Sequence, residues 1–110
     1  MSIDNNGMLM VGLKDKDIPY DTLPNFKDSD YLEEWVYANL DKVSIPSGVE
    51  FREVSTGYWM NGLAGFVVAD SGSYQYKEVE NIEDKIKATV SAFESIFGVK
   101  PKVFILNYQY

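Results

Sequence analysis

Two segments of the sequence repeat apolar residues at the spacing of an amphipathic α-helix, and the strand-like runs must pack against both. The first stripe consists of Leu32, Trp35, Val36, Leu40 and Val43. The second follows Asn81 and consists of Ile82, Ile86, Val90, Phe93, Ile96 and Phe97. Asp30 and Glu33 resemble a capping box, and Gly98 stands where a glycine commonly ends a helix. Each stripe predicts a helix that buries one face, with Phe93 in the core.

The intervening segments have the composition and alternation of β-strands. Residues 8–13 form an apolar run of strand length. An extended segment over 49–60 slips in its alternation near Glu53 and Val54, which predicts a bulge. Asn61-Gly62 then predicts a two-residue hairpin turn into a return strand over 63–69.

Two further strands complete the prediction. The turn residues 70–73 lead into a third strand of a meander over 74–79. A last strand over 102–108 contains the apolar run VFIL, which favours a central position buried on both faces.

The predicted fold class is α+β, in a single domain over residues 1–110. The element order β-α-β-β-β-α-β indicates a two-layer α/β sandwich, with a mainly antiparallel sheet and two helices on one face. A ferredoxin-like arrangement with one added strand fits this order, as do other two-layer topologies. A chain of 110 residues is long enough to bury one substantial core.

The composition excludes several classes of chemistry. The chain contains no histidine and no cysteine, so Ser-His and Cys-His catalysis and cysteine metal sites are excluded. Its formal charge is −7 and Arg52 is its only arginine, which argues against binding the phosphate backbone of a nucleic acid. We find no paired catalytic carboxylates and no phosphate-binding loop, and we expect no enzymatic activity, metal or cofactor.

Targeting signals are also absent from the sequence. The first residues, MSIDNNG, lack the basic and apolar parts of a signal peptide. No apolar run reaches the roughly 18 residues that a membrane span needs. We therefore expect a soluble cytoplasmic protein that binds neither membrane nor nucleic acid directly.

Negative charge concentrates between residues 15 and 34. Only Lys16 and Lys27 oppose the acids of this stretch, which are Asp15, Asp17, Asp21, Asp28, Asp30, Glu33 and Glu34. Neither pair of alternating aspartates is followed by the glycine and glutamate of an EF-hand loop, so solvated surface charge or a basic partner explains the stretch better than calcium. We select Asp15, Asp17 and Asp21 as candidate partner-binding residues.

The segment over 14–28 that carries these three aspartates is predicted to be irregular. Pro19 and Pro24 interrupt regular structure there. We expect four apolar or aromatic side chains to hold it to the body: Ile18, Tyr20, Leu23 and Phe26.

The predicted meander places a second set of candidate residues on one face of the sheet. If Asn61-Gly62 closes a two-residue hairpin, Met60 lies opposite Leu63, and Phe66 and Val68 point toward the helices. The other face then carries Val54, Tyr58, Met60, Leu63, Val67, Tyr74 and Tyr76. Exposed Tyr and Met favour protein interfaces, so Tyr58, Met60, Tyr74 and Tyr76 are candidate contacts. The structural alternative is that these tyrosines cover the edge of the core.

Three functional hypotheses follow. The leading one is a small acidic protein-binding module without enzymatic activity, acting as an inhibitor or adaptor of a larger partner with a basic surface. Small acidic inhibitors of viral or phage origin that block nucleic-acid-handling proteins share this profile. The first alternative is a self-assembling structural protein, such as a virion or ring-forming subunit, in which an edge strand pairs copies as a homo-oligomer. The second is a carboxylate-based enzyme or small-ligand binder.

Overall fold

The chain folds into one antiparallel sheet covered on one face by two helices. The structure is a computed structural model that describes residues 5–29, 31–54, 62–72 and 76–109. Its helices and strands are β1 (Asn5–Lys14), α1 (Leu32–Asn39), β2 (Glu50–Val54), β3 (Leu63–Asp70), α2 (Ile82–Phe97) and β4 (Lys102–Gln109). The strands lie in the order β2-β3-β1-β4, and each neighbouring pair is antiparallel. The predicted α+β class is confirmed.

The element order is that of the ferredoxin-like motif. It runs β-α-β-β-α-β, without the added strand that the sequence predicts. Residues 76–79 are not a strand, and 73–75 lie outside the described part of the chain. The physical reason is that β3 pairs with β2 on one side and β1 on the other from Leu63 to Val67, so a third strand of a meander cannot pair along this part of β3.

The main core lies between the helices and what we call the helix-side face of the sheet. Aromatic rings from both layers meet there, with Phe93 and Phe97 stacked at 4.2 Å and Phe66 and Phe93 meeting edge to face at 6.4 Å. Phe51 of β2 packs edge to face on Phe66 at 5.5 Å. The buried members of this core are Leu13, Ile18, Leu23, Leu32, Trp35, Val36, Val49, Phe51, Ala64, Phe66, Phe93, Ile96 and Phe97.

The opposite side of the sheet, which we call the second face, is also apolar and buried in the described part of the chain. Met8 and Met10 of β1 pack there with Val54 and Val67, and all four side chains are buried. The prediction that Val54 and Val67 belong to an open face is therefore wrong. Sequence reasoning did not place β1 beside β3, and β1 supplies the two methionines that fill this face.

The hairpin register differs from the prediction, but the faces do not. Leu63 lies opposite Val54, not opposite Met60. This displacement is an even number of residues, and side chains alternate with period two, so Val54 and Leu63 keep their predicted side. Phe66 likewise points toward the helices, as expected.

The predicted pairing of Val67 with Tyr76 is wrong, since Val67 lies opposite Met10 of β1 and Glu50 of β2. Tyr74, the predicted partner of Ala69, lies outside the described residues. The predicted bulge near Glu53 is also wrong, since β2 pairs with β3 without interruption from Glu50 to Val54. The bulge lies between β1 and β3, where the register shifts between Leu9 and Met10.

The position of β4 contradicts the prediction of a central strand buried on both faces. The strand lies at one end of the sheet and pairs only with β1 among the described strands. Ile105 is 86% exposed and Val103 is 49% exposed. A run of four apolar residues indicated burial, but α2 packs on β3 and β1 and leaves β4 uncovered.

The segment between β1 and α1 forms three short 3-10 turns, and the predicted anchors hold it. The turns are Asp15–Asp17, Tyr20–Thr22 and Phe26–Asp28. Ile18 and Leu23 are buried in the main core, and Tyr20 and Phe26 pack against it. Trp35 Nε1 donates a hydrogen bond of 2.8 Å to the carbonyl oxygen of Pro24, which ties the segment to α1.

The boundaries of α2 agree with the sequence, but α1 ends at Asn39, and Leu40 and Val43 of its predicted stripe lie on and after a 3-10 turn over Leu40–Lys42. The cap of α2 is Gly98 at φ 75°, whose N–H donates to the Glu94 carbonyl at 2.8 Å. Tyr31 precedes α1 without a side-chain capping bond, and Asp30 of the predicted capping box lies outside the described residues.

The centre of the sheet requires two glycines. Gly12 of β1 lies directly opposite Gly65 of β3. A Cβ atom at Gly12 would lie 2.1 Å from the backbone oxygen of Ala64, and one at Gly65 would lie 2.4 Å from the backbone oxygen of Val11. Both contacts are with backbone atoms, which cannot rotate away, so each residue must lack a side chain.

Replacing Phe93 tests the core. Phe93→Ala should lower the free energy of unfolding by roughly 3–5 kcal/mol, because the ring is fully buried between Phe66 and Phe97 and its removal leaves a cavity. Urea denaturation followed by tryptophan fluorescence measures the change. An effect below about 1 kcal/mol would contradict the packing of α2 on this sheet.

Replacing Gly12 tests the register of β1 and β3. Gly12→Ala should destabilise the chain by about 1–3 kcal/mol or more, since the added methyl group overlaps backbone atoms. Gly7→Ala in the same strand is the control, because a Cβ there meets only Ser71 Oγ at an ordinary 3.4 Å. Equal melting temperatures for the two variants would show that Gly12 does not face Gly65.

Candidate partner-binding site

The predicted acidic residues are exposed at one end of the sheet. Asp15 and Asp17 lie on the 3-10 turn that follows β1, and Asp21 lies on the next turn. All three are exposed. Asp15 is held in place through its backbone N–H, which donates to the Gly62 carbonyl oxygen at 2.8 Å.

Of the four candidate contacts predicted for the tyrosine face, the structure describes Tyr76. Tyr76 is 86% exposed, in the irregular segment before α2. Tyr58, Met60 and Tyr74 lie outside the described residues.

Asp15 belongs to a group of carboxylates that the sequence places far apart. Glu53 of β2 lies opposite Ala64 of β3 and lines an open groove with Asp15. A second groove joins Glu53 to the start of α1, where Glu33 and Glu34 lie. We call this surface the acidic face, and its members are Asp15, Tyr31, Glu33, Glu34, Tyr37 and Glu53. Asp17 and Asp21 line neither groove within the described residues.

The carboxylates of the acidic face repel each other. The pKa of Glu53 is raised above its usual value, first by partial burial and then by the negative charges of Asp15 and Glu33. Tyr20 donates a hydrogen bond of 2.5 Å from its hydroxyl to Asp15 Oδ1. Burial, that hydrogen bond and the charges of Asp15 and Glu53 all raise the pKa of the Tyr20 phenol. The phenol therefore stays protonated and neutralises none of the charge.

The ion pairs found in the described ranges leave the acidic face without a basic partner. Arg52 pairs with Glu50 at 3.3 Å and with Asp70 at 3.5 Å, and Lys87 pairs with Glu83. The helix dipole favours Glu33 and Glu34 in the first turn of α1, but it does not act on Glu53 or Asp15. This surface therefore concentrates negative charge that no described cation offsets.

Two exposed tyrosines flank these carboxylates. Tyr31 is 70% exposed and Tyr37 is 49% exposed, and both line the groove with Glu53. Sequence reasoning missed them and did not assign Glu53 to a partner surface. The available signal was that Tyr31 and Tyr37 fall outside the apolar stripe of α1, which leaves two large aromatic side chains on its solvent side.

A second cleft differs from the acidic face because its charges are mixed. It lies where β2 begins and β3 ends, and Arg52 binds both of its acidic partners there. Lys77 and Lys85 line the same cleft together with Glu78 and Glu80. Four acids face three bases in this cleft, so its charges largely cancel and it has less to gain from a charged ligand than the acidic face.

Two searches of the described part of the chain give negative results. No group of three or more acidic residues there has the arrangement of a metal site. None of the helices there is both long and apolar enough to cross a membrane.

The raised pKa of Glu53 predicts a pH effect on stability. A raised pKa in the folded state means that folding takes up a proton, so the contribution of Glu53 to stability falls as pH rises from its unfolded pKa through the raised value. Glu53→Gln should therefore stabilise the chain at neutral pH, and this gain should disappear in acid. Thermal melts of both proteins from pH 3 to 8 measure the difference. A Glu53→Gln variant that is less stable than wild type at pH 7 would contradict the repulsion.

Comparison with known proteins adds no relative from which a role could be transferred. No protein-family model matches the chain, no curated protein matches its sequence, and no solved structure matches its fold. Its function is therefore argued from the surface alone.

Proposed function

We propose that this protein is a non-enzymatic binding module, an inhibitor or adaptor that docks its acidic face onto the basic surface of a larger protein. The observation that carries the proposal is the group of carboxylates from three separate elements, unneutralised by any described cation. Asp15 follows β1, Glu33 lies on α1 and Glu53 lies on β2. Partial burial, and then the negative charges of Asp15 and Glu33, raise the pKa of Glu53.

A basic partner would relieve this repulsion. A lysine or arginine placed in the groove between Asp15 and Glu53 would replace unfavourable interactions between like charges with favourable ones. A net charge of −7 would also accelerate encounter with a positively charged surface.

The two exposed tyrosines provide contact area that the carboxylates do not. Tyr31 and Tyr37 offer large, rigid side chains with a polar tip, and tyrosine is enriched in protein interfaces. Acidic side chains between two exposed rings suit a partner that presents lysine or arginine. Arginine can stack on the rings and pair with a carboxylate.

The proposed class of partner is a protein with a basic cleft. Nucleic-acid-handling proteins have such clefts, and spaced carboxylates can occupy positions that phosphates would otherwise take. The lack of histidine and cysteine in these 110 residues supports binding over catalysis as the mode of action.

Neutralising the acidic face tests the proposal. We expect Asp15→Asn, Glu33→Gln and Glu53→Gln, combined in one variant, to slow association with the partner on the order of tenfold at low salt. Affinity capture from lysate of the source cells at two salt concentrations identifies the partner. Surface plasmon resonance with that purified partner then gives the association rate.

A matched variant controls for net charge. Asp41→Asn, Asp84→Asn and Glu94→Gln remove the same three charges from exposed positions outside the acidic face. This control should bind at nearly the wild-type rate. The proposal fails if both triple variants bind alike, or if the association rate does not change with added salt.

A further inference from the structure

Among the described strands, the outer edge of β4 lacks the features that usually prevent a strand edge from pairing with another chain. β4 pairs with β1 in eight consecutive positions, from Gln109 opposite Asn5 to Lys102 opposite Gly12, without a register shift. No described strand occupies its other side. The strand sequence, KVFILNYQ, contains no proline and only one charged residue, Lys102 at its start. Proteins usually guard such edges with charge, proline, bulges or short length.

The other end of the same sheet shows those protections. Three of the five described residues of β2 are charged: Glu50, Arg52 and Glu53. Arg52 is held in ion pairs with Glu50 and Asp70 across the edge. The β2 edge is therefore unfavourable for pairing with another strand, and the β4 edge is favourable.

Two apolar side chains of β4 are exposed beside its unpaired edge. Val103 and Ile105 lie opposite Val11 and Leu9, which places them on the helix-side face. There α2 covers β3 and β1, and Ile105 stays 86% exposed. Ile105 also borders an apolar groove with Leu9, Ala69 and Val79.

We propose that β4 pairs antiparallel with β4 of a second copy of this chain, across a two-fold axis at Ile105. Directly opposite residues of antiparallel strands share a face, so this axis sets Ile105 against Ile105 and Val103 against position 107. The two sheets become one of eight strands, with both helix layers on the same side. The exposed apolar side chains of the two copies then cover each other.

The distribution of charge favours a second copy as the occupant. In the antiparallel pair the two Lys102 side chains lie at opposite ends of the interface and do not repel each other. The two acidic faces lie at the far β2 edges, seven strand spacings apart, which is about 34 Å at roughly 4.8 Å per spacing. This separation is well beyond the screening length of about 8 Å at physiological salt, so repulsion between the two acidic faces does not oppose the contact.

The pairing also closes on itself. A two-fold interface uses the same surface of both copies, so the dimer has no free β4 edge. Among the described strands, the remaining edges of the joined sheet are the two charged β2 strands, and we expect growth to stop at two copies.

Sedimentation equilibrium of the full chain from about 1 to 500 µM tests the proposal. We expect the average mass to rise from monomer to dimer and no further. Ile105→Lys should hold the mass at monomer across the range, because it places two ammonium groups opposite each other at the axis. Ala38→Lys is the matched control, since Ala38 is exposed on α1, which packs on β2 at the other end of the sheet, and it should dimerise as wild type does.

A cysteine substitution tests the register. The chain has no native cysteine, so Ile105→Cys introduces the only thiol. Residues opposite each other in antiparallel strands have Cα atoms about 4.5–5.5 Å apart, within the range of a disulfide. Mild oxidation should give a reducible dimer, whereas Ala38→Cys, on α1 at the other end of the sheet, should stay largely monomeric. A wild-type chain that is monomeric at every concentration, or a dimer that Ile105→Lys leaves intact, would overturn the proposal.

Discussion

Trp35 links the irregular segment over 14–28 to both helices, and the acidic face depends on the positions of these elements. Its indole N–H donates to the Pro24 carbonyl, while its ring meets Phe26 at 6.3 Å and Phe97 at 5.5 Å. The same side chain thus anchors the irregular segment, lies on α1 and packs on α2. Removing that hydrogen bond would leave a partly buried donor and acceptor unpaired, at a cost of about 1–3 kcal/mol. This bond fixes the segment at its α1 end, while the bond from the Asp15 N–H to the Gly62 carbonyl fixes its start beside β3.

The two ends of the sheet have separate roles in the proposed function. The β2 end carries Glu53 and the acidic face, and the β4 end carries the apolar edge. Because the strand order places them on opposite sides, self-pairing through β4 leaves both acidic faces open. Such a dimer would present two binding surfaces on one rigid frame. If a partner offered two basic sites at that spacing, the second contact would form at high effective concentration and strengthen binding without any new residue.

Local patterns in the sequence predicted the elements well and their pairing poorly. The stripe of α2 and the glycine after it defined that helix, because both signals act within a few residues of the chain. The faces of Val54 and Phe66 were also predictable, since the register error was an even number of residues. The central position of β1 was not predictable, because pairing between residues as distant in the chain as Met10 and Val67 has no signature in the local sequence. For the same reason, Asp15 was recognised as a candidate while its neighbour Glu53 was not.

The carboxylates of the acidic face project from hydrogen-bonded backbone elements that keep them close together. Glu53 projects from a paired strand and Glu33 from a helix, and the Asp15 backbone is held by its bond to Gly62. None of these backbones can move apart without breaking hydrogen bonds, so only side-chain rotation is left to relieve the repulsion among the carboxylates. Flexible loops carrying the same charges would separate and lose this property. The stability given up in the free protein is therefore recovered when a cation enters the groove, which makes affinity depend on the charge of the partner.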